Sequence, residues 1–416
     1  MNPWIDYAIW WHVYPLGFTG APRESPGAGF GDGANGGDGS GGGDGFGGGD
    51  GFGGGHRLSK IVDWLDYLLE LGANGLQLGP IFASETHGYD TVDHFRIDPR
   101  LGDDDDFDKL IAAARERGIR VMLDGVFNHV GRGFHAPAHW LTGAAFEGHG
   151  SLLELNHDEP EVADHVVRVM NHWLDRGASG WRLDAAYAVP PQFWRDVLAR
   201  VRPAHPEAWF AGEVIHGDYP GYLAASTLDG ITQYEIWKAI WSSLNDRNLW
   251  ELAWAVKRHQ AVLAAGMPMT FVGNHDVTRI ASRLTDERHL AHALVVLFTL
   301  GGTPSIYYGD EQAYRGVKED RAGGDDDVRP VFPASPAEFS ALGRPVFELH
   351  QRLIGIRRRH AWLAHARTEV GDLTNTTMAL TSTDGTNRLT ALLNIGDEPH
   401  TFPAGTVPPH DWMIVE

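Results

Sequence analysis

Short apolar runs of strand length alternate with longer stretches of helical periodicity through most of the chain, and no other feature constrains its fold so tightly. Ala8 to Tyr14 is aromatic and β-branched and is closed by Pro15 and Gly17, which predicts a first strand. Leu58, Ile61, Val62, Leu65, Leu68 and Leu69 then recur at helical spacing, with Gly72 as a stop, before a buried strand over Asn74 to Gly79. The same alternation predicts a helix from Asp104 to Arg117 with an acidic first turn, a strand over Ile119 to Val126, and a helix through Val162, Val166, Val169, Met170 and Trp173. A strand around Arg182, a helix from Pro191 to Val201, a strand over Ala208 to Glu213 and a strand near Ile231 to Tyr234 follow. A long helical stretch to Ala265, a strand over Met269 to Val272, a further helix and a strand over Ser305 to Tyr308 complete the series. Alternating strands and helices imply right-handed crossovers and a parallel sheet, and eight such strands predict a closed (β/α)8 TIM barrel.

Beyond His360 the pattern changes. Thr377 to Thr381 and Leu389 to Leu393 are short, rich in Thr and Leu, and separated by Gly, Asn and Asp, as in a small antiparallel β domain. The expected division is a barrel over 1–359 and a C-terminal domain over 360–416. Within the first part, 26–55 is mostly Gly with Asp and Phe and includes a tandem hexad, Gly41 to Phe46 and Gly47 to Phe52. Such a composition buries too little apolar surface to offset chain ordering, so a flexible surface loop is expected. A calcium-binding β-roll is the rival reading, but the hexad does not match that repeat.

Charge and composition narrow the partners. A formal charge of −21 argues against nucleic acid and anionic membrane, because phosphate binding needs clustered Lys and Arg. The longest apolar run, Ala293 to Leu300, is too short to span a bilayer. With no cysteine, no basic leader at the N-terminus and no disulfide chemistry, a cytoplasmic location is expected. Oligomeric state is not legible.

Four of the predicted strands end in polar clusters, and the C-terminal ends of barrel strands are where catalytic groups collect. They are Asp124-Gly125-Val126-Phe127-Asn128-His129-Val130, Arg182-Leu183-Asp184, Glu213, and Gly273-Asn274-His275-Asp276. In Gly180 to Asp184 the period of two puts Arg182 and Asp184 on one face and Trp181 and Leu183 on the other. A guanidinium beside Asp184 favours its anion, which suits a nucleophile, although a buried structural ion pair reads the same way. Any single cluster is explained by a helix cap or a satisfied core polar group; four together at one barrel mouth are not. The 22 His residues contain no His-Glu-x-x-His run, so a metalloenzyme reading is weak.

These motifs, with His87-Gly88-Tyr89-Asp90 and Gly302 to Glu311, resemble those of the α-amylase family of glycoside hydrolases over roughly Ile9 to Arg359. The resemblance implies that Asp184 is the nucleophile of a retaining mechanism, Glu213 the acid and Asp276 a third carboxylate that favours a positively charged transition state. It further implies that His129, His275 and Arg182 hydrogen-bond the reacting sugar, that Tyr89 stacks beneath it, and that His87 and Arg329 reach the same subsite. Glu213 follows apolar Trp209-Phe210-Ala211, where the charged form of a carboxyl is disfavoured.

Two departures from the family pattern bear on the site. Only Gly131 to Asn156 stands where most relatives insert a domain after the third strand, so the cleft is expected to be open there. Around Asn156 the family often carries an Asp for structural calcium; this chain reads Leu152-Leu153-Glu154-Leu155-Asn156, and Asn128 alone does not make the oxygen set that calcium needs. No cofactor is expected, and a structural calcium, though the resemblance allows one, is disfavoured. The expected activity is retaining hydrolysis of α-1,4 and/or α-1,6 glucosidic bonds of soluble oligosaccharides. The alternatives are a transglycosylase or sugar isomerase of the same fold, which sequence separates poorly, and a non-catalytic relative, against which the intact carboxylates argue.

Overall fold

The computed structural model describes residues 4–25, 55–321 and 323–416. The Gly-rich segment expected to form a loop therefore lies outside the described residues, apart from Gly55. Eight strands form one sheet: β1 (Trp10–Val13), β2 (Gly75–Leu78), β3 (Arg120–Gly125), β4 (Gly180–Leu183), β5 (Trp209–Gly212), β6 (Gly230–Ile231), β7 (Met269–Phe271) and β8 (Thr303–Tyr307). Each pairs in parallel with its sequence neighbour from β1 to β6, and β8 joins β1 to β7. Between β6 and β7 the ring closes through a single bridge, Thr232 to Met269. The predicted barrel is borne out.

Local sequence explains where elements start and stop. Asp103 caps the helix Asp104–Glu116 with a reciprocal capping box to Asp106, and acidic residues crowd its first turn where the helix dipole favours them. Pro160 and Pro191 begin the next two helices, Pro160–Asp175 and Pro191–Val201, at the position where a missing N–H costs nothing. β4 and β5 approach closely because residue 180 lacks a side chain: a Cβ there would lie 2.1 Å from the Trp209 carbonyl oxygen.

The structure departs from the sequence pattern in places. The first helix breaks at Trp64 into Leu58–Asp63 and Leu65–Leu71, because the Trp64 N–H turns back to the Ile61 carbonyl while its indole is buried. The long stretch to Ala265 is two helices, Tyr234–Asn245 and Leu249–Ala265, separated at Arg247 with φ 50°. Short strands escaped the sequence reading, among them the antiparallel pair Phe82–Ser84 and Thr91–Ile97. After the helix Arg344–Arg359 comes an antiparallel sheet of Arg367–Gly371, Thr377–Thr383, Arg388–Asn394 and Asp411–Val415. Its Met378, Leu380, Leu389 and Leu393 join the same buried cluster as barrel residues such as Leu294, Val296 and Leu353, so barrel and sheet share one apolar core.

Candidate active site

The C-terminal ends of β3, β4, β5 and β7 deliver their carboxylates to one place. The Asp184 N–H donates to the Gly125 carbonyl at 3.0 Å and the Glu213 N–H to the Leu183 carbonyl at 2.8 Å, which carries the parallel ladder one residue past each strand and fixes both side chains at the barrel rim. Beneath them lies Arg182, fully packed. Its Nη1 donates to Asp124 Oδ1 at 2.8 Å, Asp124 Oδ2 at 3.0 Å and Asp184 Oδ1 at 2.6 Å, and its Nη2 is 2.6 Å from Glu213 Oε1. One guanidinium thus ties three buried carboxylates together.

The free atoms are as telling as the paired ones. Among the described residues Asp184 Oδ2 accepts no hydrogen bond; the His129 imidazole Nε2 lies 4.0 Å from it. Glu213 Oε1 receives Arg182 and the Tyr234 hydroxyl at 3.0 Å, whereas Oε2 receives only the Ala185 N–H at 3.0 Å. A neutral Glu213 would therefore carry its proton on Oε2. Asp276 meets His275 Nε2 at 2.9 Å and Arg329 at 2.9 Å. Arg329 also donates to the His275 carbonyl at 3.0 Å, and its loop is anchored where buried Arg279 and Tyr307 both donate to the Val328 carbonyl.

Electrostatics divide the carboxylates. Burial pushes Glu213 up, against the opposing pull of Arg182 and with help from Asp184 and Asp276. Burial likewise raises Asp184 despite Arg182, so the expectation that the guanidinium alone would depress it is corrected: one positive charge is shared among three carboxylates. Asp124 is pushed up to about 8 by burial and by its two carboxylate neighbours, against Arg182. Asp276 differs; burial works to raise it, but His275, Arg329 and Lys318 together hold it well below the usual carboxylate range. His129 is lowered to about 4, chiefly by burial, so it is a neutral hydrogen-bonding group near pH 7; burial also lowers His275, against the opposing pull of Asp276.

A cavity of about 690 Å³ opens above this cluster, lined by His87, Tyr89, His129, Asp184, Glu213, Asp276 and Arg329 from the residues singled out in the sequence. Arg182 and His275 lie a layer below and line a smaller void with His12 and Tyr234. The Tyr89 ring is parallel to His275 at 5.3 Å, and its hydroxyl contacts His275 and donates to Asp124 at 3.2 Å. The cleft is not open on the side of the short insertion, as the sequence suggested. Residues 129–155 form a three-stranded sheet, His129–Val130, Leu141–Ala145 and Leu153–Leu155, whose tip brings Phe146 flat onto His129 at 4.6 Å and joins Glu147 to the Tyr187 hydroxyl at 2.7 Å. Phe146, Glu147, His149, Ser151 and Leu152 border the cavity there.

Sequence reasoning overlooked Asp124 as a partner of Arg182, although it opens the Asp124–His129 motif, and it took Tyr234 for a strand residue. Nothing local marked Phe146. At the position of the family's calcium, Asn128 donates its amide toward His129 Nδ1 at 3.1 Å, and the Asn156 amide donates to the His139 carbonyl at 3.2 Å while its oxygen accepts from the Asp158 N–H. The Leu155 N–H donates to the Asn128 carbonyl at 3.0 Å, and the side chains of His139, Glu159 and Glu161 cluster beside Asn156, not beside Asn128. Both amide nitrogens are thus engaged within the chain, whereas a hard cation calls for a full set of oxygens.

Comparison with known proteins bears on family and fold. The description of the alpha amylase catalytic domain matches residues 30–143 and 145–334. The chain is 31% identical over 344 residues to a cyclomaltodextrinase of a Bacillus species, covering 74% of this chain and 59% of that protein. It is 31% identical to neopullulanase 2 of Thermoactinomyces vulgaris over 74% of this chain and 56% of that one, so it spans little more than half the length of either. The ligand-free cyclic α-maltosyl-(1→6)-maltose hydrolase of Arthrobacter globiformis superposes with a TM-score of 0.81 at 25% identity, over 99% of this chain and 98% of the other.

Proposed function

The chain belongs to the alpha-amylase family, and we propose that within it the protein is a retaining hydrolase of α-1,4 and/or α-1,6 glucosidic bonds in soluble oligosaccharides. The observation that carries this reading is the Arg182 fork, which touches Asp184 through one nitrogen and Glu213 through the other, each at 2.6 Å. A pair spanned by one guanidinium suits the about 5–5.5 Å spacing of retaining carboxylates better than the about 6.5–9.5 Å that leaves room for an attacking water.

In this scheme Asp184 Oδ2, the oxygen without a hydrogen bond, attacks the anomeric carbon. Glu213 gives its Oε2 proton to the leaving oxygen, so the glycosidic bond breaks as the glycosyl ester forms. Glu213, now an anion stabilised by Arg182, Tyr234 and the Ala185 N–H, takes a proton from the water that cleaves the ester. Asp276, held ionised, faces the positive charge that develops on the sugar. His129 Nε2, buried without a partner among the described residues, is positioned to hydrogen-bond a sugar hydroxyl, as are His87 and Arg329 at the cavity wall. The names of the two relatives support α-glucans as the substrate class. No metal takes part in the scheme. The cysteine-free sequence suits a cytoplasmic location, and no described helix is long and apolar enough to cross a membrane.

Proton NMR of the anomeric signals during the first minutes of turnover on maltotriose or a cyclodextrin tests the mechanism. The first product should be the α anomer; initial β product would overturn the roles given to both Asp184 and Glu213.

A further inference from the structure

Away from the catalytic cavity, Asp286, His289 and His410 bring a carboxylate oxygen and two imidazole nitrogens within 4.8 Å of one another. We propose that these three residues form a binding site for a divalent transition metal of the zinc class, one that joins the barrel to the C-terminal sheet. Asp286 and His289 precede the helix Leu290–Thr299 on the barrel, and His410 immediately precedes the strand Asp411–Val415.

The geometry suits a tetrahedral ion. His289 Nε2 and His410 Nδ1 are 3.0 Å apart, and His289 Nε2 and Asp286 Oδ2 are 3.9 Å apart. Ligands about 2.0–2.2 Å from a tetrahedral zinc stand about 3.3–3.6 Å from each other, so for an ion to enter the two imidazole nitrogens part slightly and the carboxylate oxygen, within 4.8 Å of both, closes in. His410 also shows the supporting arrangement that metal-bound imidazoles require. Its far nitrogen, Nε2, meets Asp397 at 2.9 Å, and Asp397 is held by Arg247 at 2.7 Å, which selects the tautomer with a free lone pair on Nδ1.

The chemistry of the donors selects the metal. Two imidazoles and one carboxylate suit zinc, cobalt or nickel and are a poor set for calcium or magnesium, which prefer oxygen alone. Asp286 is now held by Arg288, whose side chain is 57% exposed and can swing into solvent as the metal arrives. In the alternative arrangement the two imidazoles share a single proton as a structural strut. The strut uses the same contacts and predicts no metal binding. Either way none of these residues lines the catalytic cavity, so the proposal stands apart from the proposed hydrolase activity.

The test uses the full chain without an affinity tag, freed of metal by chelator and titrated with zinc chloride by calorimetry, with cobalt absorption as a second readout. Wild type should bind one equivalent that His289→Gln and His410→Gln both fail to bind, and zinc should raise its melting temperature but not theirs. Asp397→Asn should retain the site with affinity lowered about 10–100-fold, the effect expected of a residue that orients a metal-bound His. If either His variant folds poorly, Asp286→Asn at the surface replaces it and should lose the same equivalent. No zinc binding by wild type, or equal binding by wild type and all three ligand variants, would overturn the proposal in favour of the strut.

Discussion

Replacing Tyr234 by Phe should move the alkaline limb of activity upward by about one pH unit, for reasons that can be traced bond by bond. The Asp276 N–H donates to Asn274 Oδ1 at 2.8 Å, which orients the Asn274 amide so that its nitrogen donates to the Tyr234 hydroxyl at 2.9 Å. With that lone pair occupied, the Tyr234 hydrogen is directed to Glu213 Oε1 at 3.0 Å. A hydrogen bond to a carboxylate contributes about 1.5–3 kcal/mol, whereas one to the neutral acid contributes about 0.5–1.5 kcal/mol. The difference, about 1–1.5 kcal/mol in favour of the anion, corresponds to about one pH unit. Glu213 is already raised, mainly by burial, and losing a donor that favours its anion raises it further. The acid must be protonated to work, so activity falls as pH rises through the Glu213 pKa, and a higher pKa carries that limb to higher pH. The assay is kcat/KM against pH on a maltooligosaccharide, which reports the free enzyme. A loss of overall rate does not bear on the argument, because the position of the limb is independent of it. A limb that stays in place, or that moves down, refutes either the donor direction at Tyr234 or the role of Glu213 as acid.

The remaining expectations concern the same cavity. Asp184→Asn keeps volume and most contacts but cannot form a glycosyl ester, so turnover should vanish with the melting temperature nearly unchanged; a purified variant with a tenth of wild-type turnover would remove Asp184 as nucleophile. Glu213→Gln should still form the glycosyl ester from substrates with activated leaving groups while failing on ordinary glycosides, and equal losses on both would count against it as the acid. Prolonged treatment with EDTA should leave kcat unchanged, since the Asn128 and Asn156 amides are engaged with His129 and the His139 carbonyl; a loss restored by calcium would show that reading to be mistaken.

The barrel was legible because its strands are buried on both faces and so stand out as apolar runs between amphipathic helices. Two members of the catalytic cluster were legible because each sits directly after such a run, Asp184 after Gly180–Leu183 and Glu213 after Trp209–Gly212, and Asp276 follows a few residues past Met269–Phe271. What escaped depends on contacts between distant parts of the chain. Tyr234 reaches Glu213 from 21 positions away, and Phe146 meets His129 only once three short strands fold the insertion back over the mouth. The helix break at Trp64 is of the same kind: periodicity continues through it, and only the packing of its indole against Trp11, Phe18 and Phe332 interrupts the turn. The net direction at Asp184 differs because a strand pattern shows the Arg182 partner but neither the burial that raises the carboxyl nor the two further carboxylates that share the guanidinium.

The single bridge between Thr232 and Met269 makes the ring of strands a split washer with one weak joint. Opening that joint costs few backbone hydrogen bonds, so it is where the ring can breathe without coming apart. Tyr234, which steadies the acid, begins two residues beyond it. Warming should therefore loosen the proton donor before it loosens the barrel, and catalysis should fail at a lower temperature than the apolar core melts.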